Sequence, residues 1–454
     1  NWTTTTNLEP AWGLATSVVD QNSRRTDMTY DGLGRLTGVW LPDRSRTAGA
    51  TANMTYDYLI RATGANAVIT HTMNPSGGYT TSYSLYDGLV RERQTQTDSP
   101  SGGRLLTDVF YDTAGRRSRT FEVYHDASGA PGTSIVAPVD EGLTIPSQTR
   151  LLYDGAGREI AEIFQPYNSE RWRTETYYGG DYTAVTPPLG GTGSLTRTDE
   201  DGRTTELWQF ATRIPGNLNS DPSTYDKTTY YYNRRGLPSK VVDPAGFEWT
   251  YDYDLRGRNT SSKDPDSGTT TKEYDNAGRL TKTTDARGKV LVTTYDNLDR
   301  KIGLYQTSIT AANQLAGWTY DTTKFEDGVT NAKGYPTASI RYVSGQQYKS
   351  TVVQYNDRYR ATVSTVTIPA SETGLAGDYT YYTGYNPDGT VNSLGSPGVG
   401  DLQSETTVTG YNALGMTDNV SSFYGADQRR WLVERTSFNA LAQPTQYSLF
   451  NGTT

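Results

Sequence analysis

The chain has 454 residues, contains no cysteine and carries a formal net charge of -8 at pH 7. The lack of cysteine excludes disulfide bonds and thiolate metal sites, and the acidic balance argues against nucleic acid as the main partner, because a phosphate backbone selects a basic surface. Only 34% of the residues are hydrophobic, whereas 11% are aromatic, among them 35 tyrosines, and this combination favours a thin, tyrosine-rich β structure over disorder.

Targeting and membrane signals are lacking in the sequence. No apolar run approaches the ~18 residues that a membrane-spanning helix needs, so we predict no membrane span. The first residue is Asn rather than Met, and no signal peptide precedes it. We therefore expect an excised or processed part of a longer chain.

A short motif recurs along the chain: Tyr, then Asp or Asn, a turn that usually contains Gly, and a basic residue. The clear copies begin at Tyr30-Asp31, Tyr86-Asp87, Tyr111-Asp112, Tyr153-Asp154, Tyr253-Asp254, Tyr274-Asp275 and Tyr295-Asp296. Weaker copies begin at Tyr56-Asp57, Tyr232-Asn233, Tyr320-Asp321, Tyr355-Asn356, Tyr385-Asn386, Tyr411-Asn412 and Phe438-Asn439. The steps from 253 to 274 and to 295 give a unit of roughly twenty residues, as in other repeat architectures.

Each unit predicts two short strands joined by a turn. Residues 290–295 are β-branched and aromatic, residues 296–300 have turn chemistry, and residues 301–307 resume as a strand. In copies such as 275–279, the Gly supplies the positive φ with which the hairpin closes. We predict an all-β fold, a single continuous hairpin array over residues 1–454. Irregular insertions at 136–146 and 215–222 predict longer loops, either binding surfaces or passive spacers.

The Tyr-Asp-x-x-Gly-Arg pattern resembles the YD repeat of the Rhs family, which includes bacterial Rhs polymorphic toxins, the B and C subunits of Tc toxins, and teneurins. Residues 170–203 resemble large secreted Rhs proteins of Gram-positive bacteria. The resemblance implies a spiral, curved β-sheet wound into a hollow shell. In the toxin relatives such a shell encloses a C-terminal toxic segment, and in teneurins it serves adhesion. It also implies secretion or a place at the cell surface.

One family feature is missing from its usual place. The closing motif, an Asp-Pro-x-Gly segment beside a self-cleaving aspartyl site, is echoed by Asp243-Pro-Ala-Gly246, but further repeats follow this segment. We therefore predict shell wall alone, without plug or cargo. The partner that the resemblance implies is a toxin segment of the parent chain or other shell segments.

The Tyr-Asp pairs have two interpretations. They could act as acid-base or sugar-binding groups, or the Tyr could pack while the Asp caps the turn and pairs with the nearby Arg. Their recurrence favours the structural interpretation, because catalysis needs one singular constellation. We predict no catalytic residue, no cofactor and no metal site.

The remaining candidate ligands give weak signals. His71 and His125 are the only histidines, and neither lies near a carboxylate cluster at ligand spacing. Asp199 to Gly202 and Asp252 to Asp254 place oxygen ligands at alternate positions, but a calcium loop needs more ligands and a distal bidentate Glu. A turn is predicted at both places.

Two functions stay open. The first is an encapsulating wall segment of a secreted Rhs-type toxin or cell-surface protein. The second is an extracellular adhesion module for carbohydrate or a cell-surface receptor, since aromatic-rich β surfaces suit such partners. An enzyme is disfavoured, because the sequence contains no nucleophile elbow, phosphate-binding loop or zinc motif.

Overall fold

The computed structural model describes residues 2–215, 221–425 and 429–450, and these residues form the all-β fold that the sequence predicts. The chain divides into two compact units. Unit 1 contains residues 1–108, 123–137 and 316–454, and unit 2 contains residues 109–122 and 138–315. Part of the insertion at 215–222 lies outside the described residues, since these stop at 215 and resume at 221.

The strands of unit 1 come from both ends of the chain. Its first part contains β1 (Thr5–Leu8), β2 (Ala15–Val19), β3 (Arg25–Tyr30), β4 (Leu36–Trp40), β5 (Met54–Leu59), β6 (Asn66–Met73), β7 (Tyr79–Tyr86) and β8 (Glu92–Asp98). The chain passes between the units within β9 (Arg104–Tyr111) and β10 (Arg117–Asp126).

Unit 2 is built from the middle of the chain. Its strands are β11 (Gln148–Tyr153), β12 (Glu159–Phe164), β13 (Trp172–Tyr178), β14 (Tyr182–Thr186), β15 (Ser194–Thr198), β16 (Thr204–Phe210), β17 (Tyr225–Tyr232), β18 (Pro238–Val242), β19 (Glu248–Tyr253), β20 (Asn259–Asp264), β21 (Gly268–Tyr274), β22 (Leu280–Thr284), β23 (Val290–Tyr295) and β24 (Lys301–Gln306).

The chain re-enters unit 1 within β25 (Gln314–Tyr320). The strands that follow are β26 (Lys324–Phe325), β27 (Pro336–Val343), β28 (Gln346–Tyr355), β29 (Ala361–Ile368), β30 (Gly377–Tyr385), β31 (Val391–Ser396), β32 (Glu405–Tyr411), β33 (Thr417–Tyr424), β34 (Arg430–Phe438) and β35 (Pro444–Leu449).

Strands that follow one another in sequence pair antiparallel, as the predicted hairpin array requires. In unit 2, for example, Thr283 of β22 lies opposite Leu291 of β23. One departure is in unit 1, where the segment between β25 and β27 inserts the short strand β26, which pairs parallel with β28.

Helical structure is sparse in the described residues. It consists of α1 (Glu141–Thr144) and short 3₁₀ turns at Pro166–Asn168, Pro222–Thr224 and Ala311–Asn313. None of these elements has the length and apolar character with which a helix crosses a membrane.

The hydrophobic core is divided into small clusters rather than gathered in one place. Unit 2 buries Ala184, Leu195, Trp208 and Phe210 together. In unit 1 one cluster contains Ala65, Ala67 and Leu85, and another contains Phe325, Ala332 and Tyr355. Thin, dispersed burial of this kind explains how a chain with so few apolar residues folds.

Candidate functional site

The motif tyrosines and aspartates occupy one recurring position. Each clear motif Tyr is the last residue of a strand, and the following Asp opens the turn; the pairs are Tyr30 and Asp31 after β3, Tyr86 and Asp87 after β7, Tyr111 and Asp112 after β9, Tyr153 and Asp154 after β11, Tyr253 and Asp254 after β19, Tyr274 and Asp275 after β21, and Tyr295 and Asp296 after β23. We call these connections, together with the turns 199–203, 356–360, 412–416 and 439–443, which make the same backbone bond, the Tyr-Asp turns. The connections at the opposite strand ends are the plain turns.

The Asp of a Tyr-Asp turn organises that turn. The amide of Asp275 donates to the carbonyl of Arg279 at 3.0 Å, and the Arg279 amide donates back to Asp275 Oδ1 at 2.9 Å. Arg279 Nε donates to the other carboxylate oxygen at 2.7 Å. The intervening Gly278 has a φ of 94°. Because this region is open mainly to Gly, the residue closes the hairpin without strain.

The same ion pair recurs in the other clear turns. The Arg Nε to Asp Oδ2 distances range from 2.6 to 2.8 Å at Arg35, Arg91, Arg116, Arg158, Arg258 and Arg300. The hydrogen bond from the Arg35 amide lowers the pKa of the Asp31 carboxyl, against desolvation, which raises it. The turn therefore keeps its Asp ionised as an acceptor rather than poising it for proton transfer.

Several of these turns are also joined to a Tyr at the end of a following strand. In unit 2 the guanidinium carbon lies 4.4–5.0 Å from the ring centre of that Tyr in the pairs Arg116–Tyr153, Arg158–Tyr178, Arg203–Tyr232, Arg258–Tyr274 and Arg279–Tyr295. The hydroxyl of each Tyr donates to the carbonyl of the residue after the Arg at 2.7–2.9 Å. In each of these pairs the Arg, which is held by the Asp of its own turn, thus ties that turn to a neighbouring hairpin.

A weaker sequence copy is displaced from its expected place. Tyr56 and Asp57 lie within β5, not at a turn, so this assignment was wrong. Tyr58 takes the motif position, since its hydroxyl donates to the Leu36 carbonyl at 2.9 Å under the Arg35 guanidinium. The sequence reads Tyr-Asp-Tyr here, and only the contacts show which Tyr faces the preceding turn.

In unit 1, the plain turns of the first hairpins contact Tyr-Asp turns from the end of the chain. Asn74 Nδ2 donates to the Ala413 carbonyl at 3.2 Å, and Ser99 Oγ donates to the Ala440 carbonyl at 2.8 Å. We call this contact the seam; it joins turns 20–24, 74–78 and 99–103 to residues 325–333 and to turns 356–360, 412–416 and 439–443. Sequence reasoning missed it, because it joins residues more than 300 positions apart.

The most polar part of the seam surrounds Arg24. Its guanidinium lies 2.8 Å from both Asp327 and Asp357 and 3.9 Å from the ring centre of Phe325. The Tyr359 hydroxyl donates to Asp20 and accepts from Asn22 Nδ2, and burial followed by the Asp20 contact raises its pKa. Charge-assisted hydrogen bonds therefore stabilise this part of the seam.

The insertion at 136–146 begins in a segment that is hydrogen-bonded to β8. We call this segment, residues 132–136, the strap. Gln94 and Gln96 of β8 are 1% and 0% exposed, and their side chains face residues 132–136. Gln94 donates to the Val136 carbonyl at 2.6 Å and accepts from its amide at 3.0 Å. Gln96 donates to the Ser134 carbonyl at 2.8 Å and accepts from the Gly132 amide at 2.9 Å. Side-chain amides thus replace the pairing that a neighbouring strand would give.

The histidines take local roles in the sheet. His71 Nδ1 lies 2.9 Å from Thr81 Oγ1, and His71 Nε2 lies 3.2 Å from Asp57 Oδ2. This Asp-His-Thr row lies across the neighbouring strands β5, β6 and β7. His125 Nε2 lies 2.8 Å from the Gly102 carbonyl.

Of the two acidic stretches predicted to be turns, the one at Asp199 is confirmed, whereas Asp252 lies in β19 and only Asp254 opens a turn. Asp199 accepts from the Asp201 and Arg203 amides and pairs with the Arg203 side chain at 2.7 Å. Asp243 accepts from the Phe247 amide within a plain turn. Across the described residues, no group of at least three His, Cys, Asp and Glu side chains could hold a metal ion.

A sequence profile of the RHS repeat matches residues 10–46, 232–269, 253–290 and 274–316. The chain contains RHS repeats in these segments. The resemblance drawn from the Tyr-Asp motif is thereby confirmed. No curated protein sequence is significantly similar to this RHS-repeat chain.

Solved structures share the fold of this RHS-repeat chain. The crystal structure of TcdB2-TccC3 superposes with a TM-score of 0.76 at 14% identity, over 98% of this chain and 25% of that one. The Photorhabdus luminescens Tc holotoxin pore gives a TM-score of 0.74 at 14% identity, over 98% of this chain and 27% of that one. The chain thus spans about a quarter of the length of these structures.

Proposed function

We propose that the chain is a wall segment of an Rhs-type shell, which sequesters a C-terminal cargo within a secreted toxin or cell-surface protein. The seam of unit 1 carries this proposal. A wall that must hold a polypeptide needs its hairpin rows joined edge to edge, and the bonds of Asn74, Ser99 and Arg24 supply such a joint. The likeness to a much longer Tc toxin chain supports the same role.

The turns support a structural rather than a chemical role for the Tyr-Asp motif. Its carboxylates are bound by the amides and guanidinium of their own turns, and its hydroxyls are bound by neighbouring carbonyls. We propose one continuous array over residues 1–454, with no enzymatic activity and no cofactor. Its partners are the toxin segment of the parent chain or other shell segments.

A protection experiment tests the wall function. An unstructured, protease-sensitive polypeptide is fused after Thr454, and its digestion is followed in the intact protein and in Arg24→Ala/Tyr359→Phe, which breaks the seam. Sequestration predicts slow digestion of the fusion in the intact protein and faster digestion in the variant. Equally rapid digestion in both proteins, together with binding to a glycan array or a cell surface, would favour the adhesion module instead.

A further inference from the structure

A row of three arginines lies across neighbouring strands of unit 2. Arg119 of β10 is directly opposite Arg150 of β11, and Arg150 is opposite Ile163 of β12, which in turn is opposite Arg173 of β13. Because residues that are directly opposite one another share a face of the sheet, the three guanidinium groups lie on one face. Like charges in such a row repel one another, so anionic partners stabilise it.

The two outer arginines obtain such a partner from the chain itself. Arg119 Nη1 lies 2.6 Å from Glu141 Oε2, and Arg173 Nη2 lies 2.6 Å from Glu170 Oε2. Arg150 is exposed and has no carboxylate partner among the residues that the structure describes. The central guanidinium thus lacks the group that the other two arginines of the row bind.

Arg150 lines a cavity of about 540 Å³ that belongs entirely to unit 2. The side chains of Arg116, Gln165 and Asn168 line the same cavity and carry further N–H donors. The acidic side chain on the cavity wall, Asp112, is already bound by Arg116 of its own turn at 2.7 Å. The uncompensated charge of the wall is therefore the positive charge of Arg150.

The loop that carries Gln165 and Asn168 is strained. Tyr167 and Asn168 both have positive φ, 51° and 60°, in a region that a bulky L-residue seldom adopts. The Tyr167 amide donates to the Ile145 carbonyl at 2.8 Å, and Gln148 Nε2 donates to Asn168 Oδ1 at 3.2 Å, so two bonds hold the loop in this conformation. The second bond uses the oxygen of the Asn168 amide, which leaves its Nδ2 as a donor. Backbone strain of this kind is typical of ligand-binding sites.

We propose that this cavity binds a carboxylate ligand, which Arg150 holds as Arg119 and Arg173 hold carboxylates of the chain. A guanidinium group matches a carboxylate through two parallel hydrogen bonds. The amides of Gln165 and Asn168 supply further donors on the same wall. Since the cavity is much larger than one carboxylate group, the ligand is a small organic acid or an acidic side chain of a polypeptide. The inference rests on unit 2 alone and holds whether or not the chain is a shell wall.

The test is a calorimetric titration of the full chain with glutarate and, separately, with the capped peptide acetyl-Ala-Glu-Ala-amide. Arg150→Gln removes the free guanidinium and is expected to weaken the binding of both probes by about tenfold, the loss typical of a charged hydrogen bond. Arg234→Gln is the matched control. It removes another exposed arginine of unit 2, which does not line the cavity, and is expected to leave binding unchanged.

A second variant separates a built site from attraction to charge alone. Gln165→Ala keeps every charge and the hydrogen bond from its backbone amide to the Gln148 carbonyl, but it removes one side-chain amide from the cavity. It is expected to weaken binding by about threefold. Tighter binding of glutarate points to a small organic acid as the ligand, and tighter binding of the peptide points to an acidic side chain. The proposal is overturned if neither probe binds at millimolar concentrations, if Arg150→Gln or Gln165→Ala binds as the unmodified chain does, or if inorganic phosphate binds as tightly as the carboxylates.

Discussion

The guanidinium carbon of Arg35 lies 4.5 Å from the centre of the Tyr58 ring, and the same Arg is held by Asp31 in its own turn. This geometry makes Arg35 the link between consecutive hairpins. A double-mutant cycle with Arg35→Ala and Tyr58→Leu should give a coupling free energy of about 0.5–1 kcal/mol in urea unfolding. Arg44 binds Thr51 instead, so a cycle of Arg44→Ala with Tyr58→Leu should give none. Equal coupling in both cycles would contradict a specific link between Arg35 and Tyr58.

The two glycines of turn 154–158 should respond differently to substitution. Gly157 has a φ of 82°, whereas Gly155 has no positive φ and open space where a Cβ would lie. Gly157→Ala should lower the free energy of unfolding by about 1–2 kcal/mol, because an L-residue is strained in the left-handed region. Gly155→Ala is the matched control and should be nearly neutral. Similar losses at both positions would show that backbone conformation does not determine the effect of these substitutions on stability.

Removal of one hydroxyl should loosen the seam. Tyr359→Phe deletes the donor to Asp20 and the acceptor for Asn22 and should cost about 1–3 kcal/mol. Hydrogen exchange should quicken at residues 20–24 and 325–333 and stay unchanged in unit 2. Tyr447→Phe, at a side chain that is 59% exposed, is the control. Unchanged hydrogen exchange at residues 20–24 would show that the Tyr359 hydroxyl does not stabilise the seam.

Stability should fall at alkaline pH. Burial raises the pKa of Tyr355 to about 12 from an ordinary value near 10. The folded chain therefore holds this proton more tightly than the unfolded chain, so its stabilising effect is complete below pH 10 and is lost between about pH 10 and 12. Urea unfolding across this range should show the decline, and Tyr355→Phe should show a shallower one. Constant stability up to about pH 12 would contradict a raised pKa for Tyr355 in the folded chain.

The strap should detach when its amide partners are removed. Gln94→Leu leaves the amide and carbonyl of Val136 without their partner and should cost about 1–3 kcal/mol for each buried group left unpaired. Limited proteolysis should then cut between residues 129 and 139. The exposed Gln209 is the control site for Gln→Leu. Continued resistance of the strap in Gln94→Leu would show that other contacts hold it.

The local architecture could be predicted from the sequence because its causes are local. The Asp of each motif bonds amides two and four residues away, so the residue order alone indicates the turn. The aromatic content likewise indicated a thin core. The motif could not decide between Tyr56 and Tyr58, because that choice depends on which strand face meets Arg35.

The seam and the strap could not be predicted in the same way. Asn74 and Ser99 look like ordinary turn residues, and their partners Ala413 and Ala440 offer only backbone carbonyls, which carry no sequence signature. Gln94 and Gln96 alternate along β8 as solvent-facing residues would, yet both are buried beneath the strap. Long-range packing decides these environments, and a single sequence does not encode it as a pattern.

Many motif Tyr residues sit beside a β-bulge, for example between Leu152 and Tyr153, between Glu273 and Tyr274, and between Thr294 and Tyr295. A bulge fixes the register of its own hairpin, so an error in one strand pair is not passed on to the next. Duplication or loss of a whole hairpin would then leave the inward and outward faces of every other hairpin unchanged. The length of such a protein can therefore change by whole hairpins during evolution, while the sequences of the remaining hairpins stay the same.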